Sequence, residues 1–415
     1  MKNFHKKQFL QLAIITLTLS LTPTARASNF QDFSGITYSN PAELTFMVQD
    51  FQLIIGNEYF SPSPKVVYNG IVVVPDPSPM NNNVVTSGTS SNIDHTYYPY
   101  GRIAKRLSSQ WVVGVDVTKP FSSDIVFPDN SPARYSITNS GMQSRDIAPN
   151  IAYQFTGALS KLAVGAGLDA MYYVIDLDSQ YPSLPTPTSP FGAGSDIGIT
   201  DHATNWAYGW HAGAIYHLFR GTILGLSYFS AVNQNFSNGS SSVTGFPSSD
   251  TFSTTLDLPA TSTFSIMQVL NAKWRMLFKL HYSQWDTLQQ VVLHNVAGPS
   301  PTYLVNLHYK NTWRVDLGSN YDLTQKITLG ALFAYDQTPT NDNDRTLALP
   351  GVNQTILGAS IAYKFTKSIA VQASYGHMFS VNAPINNVDP NTGIATQGTV
   401  NISGNLVGLQ LSVNT

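Results

Sequence analysis

Four residues that could do proton chemistry fall close together: Asp201, His202, His211 and His217. Imidazole titrates near neutrality and a carboxylate can orient it, so this pattern suits general acid–base work or metal binding. In "WHAGAIYHL" (Trp210–Leu218), however, His211 and His217 have the same parity, which places both on one face of a strand as wall positions. No G-x-S-x-G elbow, no H-E-x-x-H and no phosphate-cradling glycine loop occurs anywhere in the chain. The chain has no cysteine, which excludes disulfides and thiolate metal sites. The reading is therefore no catalytic residue, no metal and no cofactor. A His within reach of a Ser or Asp near an outer rim would reopen it.

Composition points to a membrane rather than a soluble catalyst. Lys2, Lys6 and Lys7, the apolar run Phe9–Leu21 and the tripeptide Ala25-Arg26-Ala27 form a secretory signal over 1–27. No apolar run reaches the roughly 20 residues of a spanning helix, so a helical membrane protein is excluded. Net charge is −2, which gives no electrostatic case for nucleic acid. Charged residues make up only 11%, against about 25% in ordinary soluble domains. With 12% aromatics, including 21 Tyr and 21 Phe, that balance favours a surface facing lipid, where Tyr and Trp gather at the interfaces.

The strands carry period-two alternation. In "WRMLFKLHYSQW" the face Trp274, Met276, Phe278, Leu280, Tyr282 opposes Arg275, Lys279, His281, Ser283. The stretch "WRVDLGSNYDL" and the last strand, with Val407, Leu409, Leu411 and Val413 on one side, repeat the pattern. Short polar turns at 107–110, 156–161, 219–222, 270–273, 324–326 and 366–368 alternate with long Pro/Gly/Ser/Asn-rich segments at 57–93, 122–137, 178–203, 237–250, 287–304, 338–353 and 381–397. Short turns on one side and long loops on the other predict an all-β, antiparallel, up-and-down transmembrane barrel of about fourteen strands. Lipid admits only helices or closed barrels, because every backbone group must be satisfied internally. A soluble sandwich explains neither the loop asymmetry nor the low charge. One feature departs from the common outer-membrane pattern: the chain ends "LSVNT" rather than on an aromatic residue.

The chain resembles the outer-membrane long-chain fatty-acid and hydrocarbon transporters of the FadL/TodX type. The likeness lies in the order and spacing of "WAYGWHAGAIYHL", "LDLPATSTFSI", "HYSQWDTLQQV", "YKNTWRVDLGSNYDL", "YDQTPTNDNDRTLALPG" and "GASIAYKF". It implies a fourteen-stranded barrel, 43–415, plugged by an N-terminal hatch, here 28–42, in the outer membrane of a Gram-negative cell. Asn40, Pro41 and Ala42 would stand at the hatch–barrel junction; the residues alone read as a strand-entry turn, which Asn-Pro makes anywhere. Only Ser28–Ser39 precede that motif, so the hatch is about half the family's length.

The resemblance also implies a lateral opening at a kink in the third strand, "WVVGVDVTKPFSSDIVF", with Lys119, Pro120 and Phe121 as the kink. A proline in a central strand removes a ladder hydrogen bond, and the competing reading ends the strand at Lys119. Substrate would meet the loop 178–203 and the loop after Phe236, with Tyr181, Leu184 and Phe191 as an apolar surface and Lys310 and Arg345 as candidate cations. "GLDAMYYVIDLDS" offers no cation, so neutral apolar molecules are expected beside fatty acids. The expected function is passive transport of hydrophobic molecules, long-chain fatty acids first, by a monomer that releases them sideways into membrane lipid. An adhesive barrel that transports nothing is the alternative, and a polar porin is disfavoured by the low charge.

Overall fold

The computed structural model describes residues 36, 39–61, 66–76, 83–182, 196–219 and 221–415. The signal segment, most of the hatch, Leu184 and Phe191 lie outside the described residues. Fourteen antiparallel strands close into a barrel. They are β1 (Phe51–Ser61), β2 (Thr96–Arg106), β3 (Trp111–Thr118, resuming as Ser123–Val126), β4 (Asn139–Gln154), β5 (Leu162–Tyr181), β6 (Ile197–Phe219) and β7 (Thr222–Phe229, resuming as Val232–Val243). The circuit continues with β8 (Ser249–Leu258 and Thr261–Val269), β9 (Trp274–Ser283), β10 (Thr312–Asp322), β11 (Ile327–Asp336), β12 (Gln354–Lys364), β13 (Ile369–Ser380) and β14 (Gly404–Asn414). Closure comes from β1 against β14, in register Leu53↔Val413 to Ser61↔Asn405. The last strand thus pairs fully despite its non-aromatic end.

The side-chain alternation is the one lipid demands. Ile103, Leu168, Trp206, Tyr208, Leu226 and Leu409 face outwards, while Arg102, Asp116, Asp169, Arg275, Lys279 and Arg314 are buried inside. Aromatic pairs stand at both rims: Trp111 with Tyr153 near the short turns and Tyr282 with Trp313 near the long loops, each with ring centroids 4.6 Å apart. Among the described residues no helix is long and apolar enough to cross a membrane.

The long segments are more ordered than their composition predicts. β5 runs to Tyr181, β6 starts at Ile197 and β7 continues to Val243, so much of the predicted loops 178–203 and 237–250 is ladder that extends the barrel upward. The first and last outer segments supply Val67–Val74, Val84–Ser91, Ala383–Val388 and Ala395–Asn401, which form a separate four-stranded sheet above the barrel. Val72, Val400 and Leu347 are fully buried in the apolar cluster beneath that sheet, with Phe127 almost so. Non-local pairing of two segments more than 300 residues apart leaves little local signal beyond β-branched runs.

Candidate functional site: an outer chamber, an apolar column and an interrupted wall

The described N-terminal residues sit inside the barrel, where Ala42 packs with Ala163 and Ile215, and Leu44 with Ala104, Val112 and Ala152. The 3-10 turn Pro41–Phe46 is capped by Asn40, whose side-chain oxygen accepts from the Ala42 N–H at 3.0 Å. The Asn40 amide donates to Ala214 O and Leu226 O, both at 3.1 Å, on β6 and β7. Two wall glycines make room: a Cβ at Gly213 would stand 2.1 Å from Asn40 Oδ1, and one at Gly165 would stand 2.6 Å from Ala42 N. Asn-Pro-Ala is thus a seated tripeptide whose amide completes backbone hydrogen bonding on the wall.

A polar network surrounds this seat. Arg102 holds Asp116 with two hydrogen bonds of 2.6 Å and donates to Ser39 Oγ at 2.6 Å. Asn150 donates to Asp116 at 3.2 Å and meets His211 Nε2 at 2.5 Å, while His211 Nδ1 meets Asp169 at 2.9 Å. Arg106 donates to Thr45 O at 3.1 Å and also to Met47 O. Across the lumen Thr263, His281, Asp316 and Arg314 form a second chain, with distances of 2.6, 3.0 and 2.7 Å. This hydroxyl–imidazole–carboxylate series resembles a catalytic relay in its contacts alone. All four side chains are buried in the strand wall, and Arg314 ties the carboxylate down.

The opposite end is apolar. A cavity of about 680 Å³ lies under the long loops, with Tyr181, Ile197, Ile199, Leu293, Tyr303 and Val305 among its walls. Burial pushes the phenol of Tyr135, in the outer segment beside the chamber, up. The apolar cluster that includes Leu293, with Tyr303 and Val305 packed on it, descends through Leu288 and Trp285 to Phe121. Phe121 meets Trp285 edge-on at 6.2 Å, and Trp285 meets Tyr309 at 5.9 Å.

That column ends at the wall segment 119–122. β3 is interrupted there and resumes at Ser123; four residues face the three at 143–145 on β4, between the pairs Thr118↔Asp146 and Ser123↔Met142. The interruption falls on the stretch that the sequence singles out, Lys119, Pro120 and Phe121, and the chain returns to the ladder beyond it. The β2–β3 ladder runs only from Gly101↔Val117 to Arg106↔Val112, although β2 begins at Thr96. Above the interruption Val126 is tied again, accepting from Ile93 N at 2.9 Å and donating to Asn92 Oδ1 at 2.9 Å. A window in the hydrogen-bond ladder therefore lies between Thr96–Tyr100 and 118–124. Ser144 Oγ donates to Pro120 O at 2.7 Å, and Ser122 Oγ accepts from Ser144 N at 3.0 Å, in place of ladder bonds. Phe121 takes φ of 23°, rare for a residue with a Cβ. Lys119 reaches across the window to Tyr97 O at 3.5 Å and lies 3.7 Å from Asp124.

Of the residues singled out from sequence, Tyr181 lines the cavity, and Lys119, Pro120 and Phe121 lie at the window. Lys310 is exposed and is not among the cavity's lining residues. Arg345 is also outside the lining; it holds Asp342 at 2.7 Å and Gly351 O at 2.9 Å and bonds Pro384 O, linking two outer segments. The histidine group disperses: His202 faces outwards to Asp176 at 2.5 Å, His211 joins the lumen network, and His217 stacks edge-on at 6.1 Å against Phe46. Trp285 and Leu293 were missed: Trp285 sits in a single 3-10 turn and Leu293 in the short outer strand Gln290–His294, too brief to show a clear alternation in sequence.

The profile of the family described as outer membrane protein transport protein (OMPP1/FadL/TodX) matches residues 20–414. The chain is 28% identical to outer membrane protein P1 of Haemophilus influenzae over 205 residues, 49% of this chain and 42% of that one. It is 24% identical over 325 residues, 70% of this chain and 72% of the relative, to the long-chain fatty acid transport protein of Escherichia coli O6:H1. In fold it is similar to a FadL homologue of Pseudomonas aeruginosa, at a TM-score of 0.78 and 17% identity, covering 95% of this chain and 99% of that one.

Proposed function

The chain belongs to the outer membrane protein transport protein family (OMPP1/FadL/TodX), outer-membrane transporters of hydrophobic molecules, and from that premise we propose its substrate and route. Long-chain apolar molecules, long-chain fatty acids first among them, settle in the chamber under the long loops. They descend the apolar column and leave sideways through the window at 119–122 into membrane lipid. The observation that carries this reading is continuity. Leu177, Leu293, Tyr303 and Val305 line the chamber and also belong to, or pack on, the apolar cluster that ends at Phe121. A fully packed column passes a chain only by side-chain rearrangement, and the strained Phe121 backbone in an unladdered segment is the natural place for it.

The thermodynamics are passive. Each methylene kept out of water is worth about 0.8 kcal/mol, so a long chain has no reason to enter the aqueous periplasm. Lateral release keeps it among apolar groups throughout. The Asn40–Phe46 turn lies inside the barrel with Pro41, Ala42 and Leu44 buried, which supports an exit through the wall rather than straight down the lumen.

The test is uptake of labelled long-chain fatty acid by a bacterial host lacking its own transporter. The expected result is uptake restored by this protein and lost in Pro120→Val, which would let the ladder close. Uptake that survives a closed wall would remove the lateral route. No uptake from a folded, surface-exposed barrel would leave the adhesive reading.

A further inference from the structure

The outer end of the molecule is strongly acidic. The seven long segments carry eleven carboxylates and three cations, Lys65, Arg134 and Arg345. Two of those cations are already matched, Arg134 to Asp196 at 2.8 Å and Arg345 to Asp342 at 2.7 Å. Lys65 lies outside the described residues. Among the described residues that line the chamber there is no Lys or Arg, but there are Asp178, Asp201, Asp344 and Asp389. The intervening segment 183–195 contains no cation in its sequence either. An anionic head group would enter an apolar space in which the charges of the described lining residues repel it.

Asp201 stands apart from the other three. Asp178 accepts from Asn139 at 2.9 Å, Asp344 meets His308 at 3.0 Å, and Asp389 accepts from Asn391 N at 2.8 Å. Asp201 is only 6% exposed and has the parity of the buried, inward-facing Ala203, Ala207 and His211 on β6. Its cross-strand neighbour, on one side, is Ser241. Ser241 is itself fixed, because its hydroxyl accepts from the N–H of the chamber residue Ala297 at 2.8 Å. One oxygen of the carboxylate is unserved: Oδ1 has no hydrogen-bond partner among the described residues. A buried carboxylate oxygen without a donor is costly, and a ligand that brings one recovers that cost.

We propose that Asp201 is the head-group fixture of the chamber, selecting apolar chains that end in an uncharged hydrogen-bond donor, a hydroxyl or a protonated carboxyl, over carboxylate anions. The selection rests on the channel reading for its purpose, since the chamber is where cargo first settles. A fatty acid meets the requirement in its protonated form, whose O–H is the same donor a long-chain alcohol offers. Ile197, Ile199 and Leu293 take the chain and confer no head-group preference.

The experiment is calorimetric titration of the purified full-length barrel in non-ionic detergent at neutral pH with 1-decanol, decanoate and decyltrimethylammonium. The expected order is decanol tighter than decanoate by about tenfold, the effect of one hydrogen bond to a charged group. Asp201→Asn removes the repulsion and weakens the acceptor, so the ratio should fall to within about threefold. Decanoate binding as tightly as decanol to the unaltered protein overturns the proposal without any variant. An unchanged ratio in Asp201→Asn overturns the assignment to Asp201. Decyltrimethylammonium matching decanol also overturns it, because that head has charge but no donor and would show the acidic field at work instead. Uptake in cells fails or succeeds independently: uptake with the opposite head-group order sinks this proposal alone, and the expected order without uptake sinks the channel reading alone.

Discussion

The two ends of the lumen are built from opposite materials. Around the Asn40–Phe46 turn the interior is a mesh of short polar and charged contacts: Arg102 on Asp116 and Ser39, Asn150 on His211, Arg106 on the turn's carbonyls. Under the long loops the interior is apolar, with a cavity of about 680 Å³ resting on Leu293, Tyr303 and Trp285's cluster. Directional, desolvated contacts have few alternative arrangements, so they hold one geometry and seal. Dispersion contacts are non-directional and can be exchanged for those of a guest chain at little net cost. The two ends of the lumen differ for that reason, and under the proposed route one is closed and the other receives the substrate.

If the contrast is right, damage at the closed end should cost stability, and damage at the receiving end should cost transport. The largest effect is expected from Arg102→Leu, which strands the buried Asp116 carboxylate. A loss of about 3–5 kcal/mol should appear in denaturant unfolding, and a loss near zero would show the network to be ornamental. Gly213→Ala comes next, because its Cβ would overlap Asn40 Oδ1. About 1–3 kcal/mol of overpacking is expected, together with faster entry of small sugars into proteoliposomes as the turn loosens. An unchanged sugar flux would mean that the turn does not seal. Tyr181→Ala, at the chamber wall and packed on the outer apolar cluster, should cost only about 1 kcal/mol of stability but lower fatty-acid uptake about fivefold. Equal losses of both would erase the division between the two ends. The smallest effect is expected from Lys310→Ala, an exposed position away from the chamber, which should change neither quantity. Reduced uptake there would restore that cation to a carboxylate-binding role.

Much of the barrel was legible because lipid imposes a strict code. Outward Trp274, Met276 and Tyr282 alternating with inward Arg275, Lys279 and His281 read the same in sequence and in structure. The short turns at 270–273 and 366–368 are where polar breaks predict them. The site was harder to read. Tyr181 was found through the apolar Pro-rich segment, but Lys310 and Arg345 were chosen for their charge, and neither lines the chamber. Asp201 appeared only as a neighbour of histidines, since a single aspartate in a strand gives no hint of whether its carboxylate is paired.

By itself the amino-acid sequence determined the membrane class, the strand count and which face of each strand meets lipid, because alternation and turn chemistry are local and the solvent outside is uniform. It also settled the poverty of cations in the outer segments. Only the tertiary structure decided that two segments over 300 residues apart pair as one outer sheet, that Gly165 and Gly213 form a seat for Asn40 and Ala42, and that the column from Leu293 ends on Phe121 at the gap in the wall. Those features depend on distances between chain segments that meet only after closure, and a distance across a lumen leaves no period along the chain.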